Sequence, residues 1–216
     1  RRNAGLNPAA QMQEPISVED VINSRVIADP LHLLDCSLVS DGGAAIIMTS
    51  ADRAKDFPHR PVYILGVGEG HGHEHISQAK DLTTSSAVES GKRAYQMSGL
   101  TAKDIDFAQL YDCFTPTVII ELEDLGFCPK GEGGAFAASG EINLEGSLPI
   151  NTHGGMLSHC HSGNPGSMFA LTETVFQLRN SLTETRQIDN PEVALVHATG
   201  GIMSSHTSLI LGVEEN

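Results

Sequence analysis

The segment Ile105-Asp106-Phe107-Ala108-Gln109-Leu110-Tyr111, followed at once by Asp112-Cys113-Phe114-Thr115-Pro116, decides the fold. The first seven residues read as a buried strand. Thr115 and Pro116 then cap and start a helix, because a proline in the first turn lacks only an N–H that would go unpaired there. That helix places Val118, Ile119, Leu122 and Leu125 toward the core and stops at Gly126. A strand running straight into a helix is the repeating unit of an α/β layer.

The neighbouring segments extend the unit in both directions. Upstream, Val62-Tyr63-Ile64-Leu65-Gly66-Val67-Gly68 reads as a second buried strand, leading into a flexible loop over 69–75. Ser86-Ala87-Val88-Glu89 has the form of a capping box. The helix behind it carries Ala87, Gly91, Ala94, Tyr95 and Ser98 on one face and ends at Gly99, so its small residues predict close packing on a sheet. Downstream, 129–150 is Gly-rich and polar and reads as a long surface excursion. Asn164-Pro165 starts a helix with Met168, Leu171, Val175 and Leu178 inward, and 193–198 and 205–211 are two strands joined through Thr199-Gly200-Gly201. From residue 62 the order is strand, helix, strand, helix, long loop, helix, strand, strand, which predicts one complete α/β layer with a mixed sheet.

The front of the chain reads differently. Residues 1–16 carry no periodicity and are expected to be a loop. Ser17-Val18-Glu19-Asp20 caps a short helix ending near Ser24, and Ala28-Asp29-Pro30 turns the chain. Ala44-Ala45-Ile46-Ile47-Met48-Thr49 suits a buried strand. Phe57-Pro58-His59-Arg60-Pro61 is the linker candidate, which divides the chain into 1–56, 57–61 and 62–216. One strand cannot bury both of its faces, so 1–56 is expected to be the tail of a domain whose front lies before Arg1.

Composition excludes several functions. Acidic residues number 27 against 13 basic, a net charge of −14 that repels phosphate backbones, so no nucleic-acid partner is expected. No apolar run is long enough to span a membrane and no signal segment is present, so the chain is expected to be cytoplasmic. Four cysteines, at 36, 113, 128 and 160, form no CxxC pair, which argues against a zinc ribbon or a disulfide framework.

Reactive side chains concentrate where strands end, the place where open α/β sheets hold ligands. Tyr111-Asp112-Cys113-Phe114 leaves a strand for a helix, and a Cys near a helix N-terminus is favoured as thiolate; a buried structural Cys is the plainer reading. Asn151-Thr152-His153-Gly154-Gly155-Met156-Leu157-Ser158-His159-Cys160-His161 sets histidines among glycines that let backbone approach a ligand. Gly200 can offer an amide to an oxyanion, or simply make a turn. No metal site is assigned. His71, His73 and His75, interleaved with Glu69 and Glu74, read as solvated, and an extended His159-Cys160-His161 brings only two of its donors to one face.

Together these segments resemble the thiolase superfamily, in particular its sterol-carrier-protein-type thiolases and thiolase-like lipid-transfer proteins. Ser40-Asp41-Gly42-Gly43-Ala44-Ala45 is similar to the SDGAAA stretch ending the family's first domain. Tyr111-Asp112-Cys113-Phe114 is similar to HDCF, His153-Gly154-Gly155 with Ser158-His159-Cys160-His161 to the GG…GHP motif, and Thr199-Gly200-Gly201 to the last Gly-Gly motif. The resemblance implies a layered αβαβα fold, here as the tail of the first domain and the whole C-terminal domain. It implies an acyltransferase of acetyl-CoA acetyltransferase type that makes or breaks a C–C bond in a 3-oxoacyl-CoA. Coenzyme A is then the substrate carrier and no cofactor is needed. The family's nucleophilic Cys matches no cysteine here, so the isolated chain is expected to be inactive. His161 takes the role of activating and oxyanion-stabilising group, Cys113 that of acid/base at the substrate α-carbon, Asp112 that of an orienting group, and Gly200 that of an oxyanion donor. His153, Gly154, Gly155 and Ser158 fall on the substrate-binding motif. A homodimer or larger oligomer, and a small OB-fold partner, are implied as partners.

The sequence also departs from the family pattern. Tyr111 replaces the expected His or Asn, Cys160 the Gly of GHP and Ser162 its Pro. Thiolase-like aldolases use tyrosines as acid/base groups, so a retro-aldolase acting on a β-hydroxyacyl-CoA through Tyr111 is the alternative. A non-catalytic thiolase-like subunit or binding fragment is the third reading.

Overall fold

The computed structural model describes residues 1–163 and 165–214. In chain order the elements are α1 (Arg2–Gly5), α2 (Val18–Ile22), β1 (Val26–Ala28), β2 (Leu31–His32), α3 (Ala51–Ala54), β3 (Tyr63–His71), α4 (Ala87–Ser98), β4 (Phe107–Gln109), α5 (Thr115–Asp124), α6 (Gly133–Ala138), α7 (Gly155–Ser158), α8 (Gly166–Leu178), β5 (Val193–Gly200) and β6 (Ser205–Gly212). A four-stranded sheet runs β3-β6-β5-β4, antiparallel except for the parallel β5–β4 pair. The expected mixed α/β layer is therefore present.

Alternation across the strands gives the sheet two buried faces. On one, Leu195 and Ile210 pack with Ala87 and Ala94 of α4 and Leu122 of α5. On the other, Ala194, Val196 and Leu211 pack with Ala170 and Leu178 of α8. The helix α4 sits on β3 at backbone contact. A Cβ on Gly68 would lie 1.9 Å from the Ser90 carbonyl oxygen, so only glycine allows this approach. Gly99 ends α4 in the left-handed conformation.

Several expectations are corrected. Residues 44–49 form no strand; Ile47 is 89% exposed and the segment has no ladder partner among the described residues. An apolar run becomes a strand only where a sheet receives it. The loop expected over 69–75 starts later, because Glu69, Gly70 and His71 continue β3 by pairing with Thr207, His206 and Ser205. The Ser86 capping box does not form; Ser85 and Thr84 instead hold the Asp124 carboxylate at the foot of α5. Residues 129–150 include α6, and Ile150 bridges to Ala108 beside β4.

The inward face of α8 is also more polar than expected. Glu173, Thr174 and Gln177 are buried beside Ala170 and Leu178, while Met168, Leu171 and Val175 are half-buried. Arg186 explains this by pairing with Glu173 at 2.7 Å. The expected start of α8 at Asn164 lies outside the described residues. Residues 1–16 contain α1 and wrap the site loop: Asn3 donates to the Ile150 carbonyl, Asn7 to that of His153, and Met12 N–H to that of Ser158.

Candidate active site

The segment after β4 and the loop before α8 meet at a tyrosine–histidine pair. Tyr111 Oη lies 3.0 Å from His161 Nε2, and the rings meet edge to face at 5.9 Å. The other ring nitrogen, Nδ1, is 2.7 Å from Ser37 Oγ. Residues 37–40 reach across from the front of the chain. Ser37 N–H donates to the Cys113 carbonyl, Leu38 N–H to that of Met156, and Ser40 N–H to that of His161. Ser40 Oγ accepts from His161 N–H at 3.2 Å. The imidazole is thus fixed from both sides.

Electrostatics keep the pair uncharged. Burial raises the Tyr111 phenol to about 12, with Cys113, Glu121 and Asp112 adding to the rise. Desolvation lowers His161 below the ordinary imidazole value, against a smaller opposing effect of the Leu38 backbone. A phenol that keeps its proton beside an imidazole that stays neutral is a hydrogen-bonded acid–base pair. The neutral ring has one N–H and one lone pair to share between Tyr111 Oη at Nε2 and Ser37 Oγ at Nδ1.

Asp112 faces the other way. It is fully buried and accepts from Met156 N–H at 2.7 Å and Leu157 N–H at 3.2 Å, holding the first turn of α7. Desolvation raises its carboxyl to about 6, against those two hydrogen bonds. Gly155 is required here: its φ is +66°, and a Cβ would lie 2.0 Å from Asp112 Oδ2. A cleft of about 330 Å³ borders Asp112, Thr115, Asn151, Gly154 and Leu157; neither Tyr111 nor His161 lines it.

The other expected site residues spread over three environments. Cys113 is buried with its Sγ 3.7 Å from Thr117 Oγ1, and burial raises the thiol to about 11. His153, Gly154 and Ser158 are buried. The His153 ring packs edge to face on His159, and desolvation lowers it to about 3. The Gly200 carbonyl accepts from Ser204 N–H within the β5–β6 turn. Its neighbour Thr199 donates to Glu121 Oε1 at 3.1 Å, and Glu121 Oε2 accepts Tyr111 N–H at 3.0 Å.

Sequence reasoning missed three groups at this site. Ser37 and Ser40 carry no spacing signal toward His161. Glu121 sits between Ile120 and Leu122 on a helix whose apolar stripe conceals it; the carboxyl is fully buried and desolvation raises it well above the usual carboxylate range.

Comparison with known proteins gives the family of the chain. Residues 68–213 match the family model described as thiolase C-terminal domain-like. An acetyl-CoA acetyltransferase of Methanothermobacter thermautotrophicus is 38% identical over 200 residues, covering 92% of this chain and 52% of the relative. A steroid side-chain-cleaving aldolase of Thermomonospora curvata is 40% identical over 222 residues, covering 99% of this chain and 54% of the relative. A solved Ltp2-ChsH2(DUF35) aldolase superimposes with a TM-score of 0.87 at 37% identity, covering all of this chain and 56% of the other. The chain spans about half the length of these curated relatives. Among the described residues no helix is long and apolar enough to cross a membrane. The chain belongs to the thiolase superfamily, on its sterol-carrier-protein-type branch.

Proposed function

We propose that this chain carries the acid–base pair of a thiolase-like retro-aldolase that cleaves the Cα–Cβ bond of a β-hydroxyacyl-CoA. The observation that carries the reading is the 3.0 Å contact of Tyr111 Oη with His161 Nε2. Tyr111 takes the β-hydroxyl proton as it passes its own to His161. The Cα–Cβ electron pair moves onto the thioester carbonyl as an enolate, and a ketone or aldehyde leaves. The proton on His161 then returns through Tyr111 to Cα, giving the shortened acyl-CoA. Atoms and charges balance with no covalent intermediate, so the reaction needs no thiolate nucleophile.

The likeness to a steroid side-chain-cleaving aldolase supports this reading. A buried Cys113 thiol raised to about 11 suits it too, because such a thiol is a poor proton donor or nucleophile near neutral pH. Coenzyme A is the substrate handle, and a small OB-fold protein of the DUF35 kind is the proposed partner, by analogy with the solved aldolase complex. Acyl transfer on a 3-oxoacyl-CoA is the second reading, favoured by the likeness to an acetyl-CoA acetyltransferase.

One experiment separates the two. The purified protein, alone and with a DUF35-type partner, is given a β-hydroxyacyl-CoA, or a 3-oxoacyl-CoA with free CoA. Carbonyl release from the first substrate, lost in Tyr111→Phe and kept in Cys113→Ala, supports retro-aldol cleavage. Thiolysis of the second, lost in Cys113→Ala, supports acyl transfer and overturns the proposal.

A further inference from the structure

A second constellation lies in the core between α5 and the β5–β6 pair. Glu121, His197 and His206 are all fully buried, and one ligand atom of each lies within 4.8 Å of the others. His197 Nε2 is 3.0 Å from His206 Nδ1 and 3.8 Å from Glu121 Oε1. Nothing in the proposed retro-aldol chemistry uses either histidine.

The hydrogen bonds around the cluster direct one nitrogen of each histidine inward. His206 Nε2 is 3.3 Å from the Met203 carbonyl oxygen, which only accepts, so Nε2 carries the hydrogen and Nδ1 a lone pair. At the other end, His197 Nδ1 is 2.9 Å from Ser208 Oγ, which is 2.9 Å from Ser90 Oγ. With the Ser90 hydrogen on the Ala87 carbonyl, 3.2 Å away, Ser208 donates to Ser90 and accepts from His197 Nδ1, and His197 Nε2 is also a lone pair. In that tautomer two imidazole lone pairs converge with a carboxylate oxygen that accepts from Thr199 Oγ1.

Three buried acceptors arranged in this way are satisfied by a cation. A protonated Glu121 does not resolve the contact, since 3.8 Å is beyond hydrogen-bond reach. The arrangement instead has the features of a metal site. Each histidine directs one nitrogen inward while the other nitrogen bonds to a carbonyl or hydroxyl oxygen, the outer contact that orients ligating imidazoles. Tetrahedral coordination by zinc puts ligand atoms about 3.4 Å apart, between the two separations seen.

We propose that Glu121 Oε1, His197 Nε2 and His206 Nδ1 bind a divalent transition-metal cation of the zinc type. Two imidazoles and one carboxylate form a nitrogen–oxygen donor set suited to zinc and its cobalt analogue rather than to calcium or magnesium. Thr199 Oγ1, on Glu121 Oε1, is the neighbouring oxygen available as a further ligand. The site ties α5 to β5 and β6. Through the other oxygen of Glu121 it also braces the Tyr111 backbone. The turn between β5 and β6, exposed at Gly201 and Ile202, is the entry path.

The test is metal uptake. Chelator-treated protein is dialysed against micromolar Zn²⁺ and its metal content measured; a parallel sample receives Co²⁺ and is read by visible absorption. About one zinc per chain is expected, with the intense cobalt bands of four-coordinate geometry. Metal removal is expected to lower Tm by roughly 5–10 °C. His197→Ala and His206→Ala should each abolish uptake, whereas the triple replacement of His71, His73 and His75 by Asn should retain it. Folded wild-type protein that takes up no stoichiometric metal overturns the proposal. So does the weak cobalt spectrum of a six-coordinate surface ion, or loss of metal with the loop triple variant. The cobalt spectrum of the wild-type protein decides the matter even if the core variants do not fold.

Discussion

His161 and His197 are held alike and used differently. Each sets Nδ1 against a serine, Ser37 at 2.7 Å and Ser208 at 2.9 Å, and each turns Nε2 toward a second group. His197 lies within a paired strand, under α4, with every neighbour supplied by the sheet and its helices. His161 lies on a loop, half-buried, and its serine arrives on a segment that joins no sheet. The contrast separates two ways of fixing an imidazole. One uses the core, at the cost of access. The other uses a crossing segment of a few hydrogen bonds and leaves His161 and Tyr111 half-buried.

The sharpest break in this comparison is chemical. Tyr111→Phe removes only the hydroxyl, so it should leave the fold intact and cut carbonyl release from a β-hydroxyacyl-CoA by about 10²–10⁴-fold, the range for an acid–base group. Steady-state kinetics checks this, with circular dichroism confirming the fold. A loss below tenfold would remove Tyr111 from the chemistry.

The next effect belongs to the sheet side. Gly68→Ala places a methyl 1.9 Å from the Ser90 carbonyl oxygen, and neither strand nor helix can yield without disturbing Ser90, Ser208 and His197. The expected cost is about 2–4 kcal/mol, read as a lower urea midpoint at unchanged slope. An unchanged midpoint would mean that α4 does not sit on β3 as described.

The two histidine environments also explain what the sequence made legible. Strand-to-helix order from residue 62, the Gly99 stop and the mixed sheet could be read because periodicity and punctuation are local signals. Tyr111 and His161 were found because they stand in motifs at strand and loop ends. The run over 44–49 misled because apolar composition records what a segment can bury against, not whether a partner is present. Glu121, His197 and His206 escaped notice for the opposite reason. Glu121 and His197 sit singly after apolar residues and His206 among serines and a threonine, and only the β5–β6 register with the packing of α5 brings them together. Ser37 was invisible because a crossing segment held by backbone bonds leaves no pattern in its side chains.

A pH profile tests the open histidine further. Desolvation lowers His161, and Tyr111 is raised to about 12. Activity needs neutral His161, so the acid limb of kcat/KM should have its midpoint below the ordinary imidazole value of about 6.5. No alkaline fall from Tyr111 should appear until near 12. An acid limb above about 6.5 would mean that a nearby carboxylate stabilises the imidazolium, contrary to the burial described.

The smallest effect distinguishes the two serines. Ser37→Ala removes the hydrogen-bond partner of His161 Nδ1, but the position is half-buried and water can take the place of the hydroxyl. The loss is one net hydrogen bond, about 1 kcal/mol. It falls on imidazole orientation rather than on the core, so it should appear as a roughly five- to tenfold decrease in kcat/KM with an unchanged urea midpoint. Ser208→Ala should show the reverse pattern. Its hydroxyl is fully buried between Ser90 and His197, no water can replace it, and two partners are left unpaired, at a cost of about 1–3 kcal/mol in stability. Measuring both variants for midpoint and rate gives a crossed result if the two imidazoles are held as described. If Ser37→Ala lowers the midpoint as much as Ser208→Ala does, the 37–40 segment is part of the cooperative core, and the contrast between the two histidines fails.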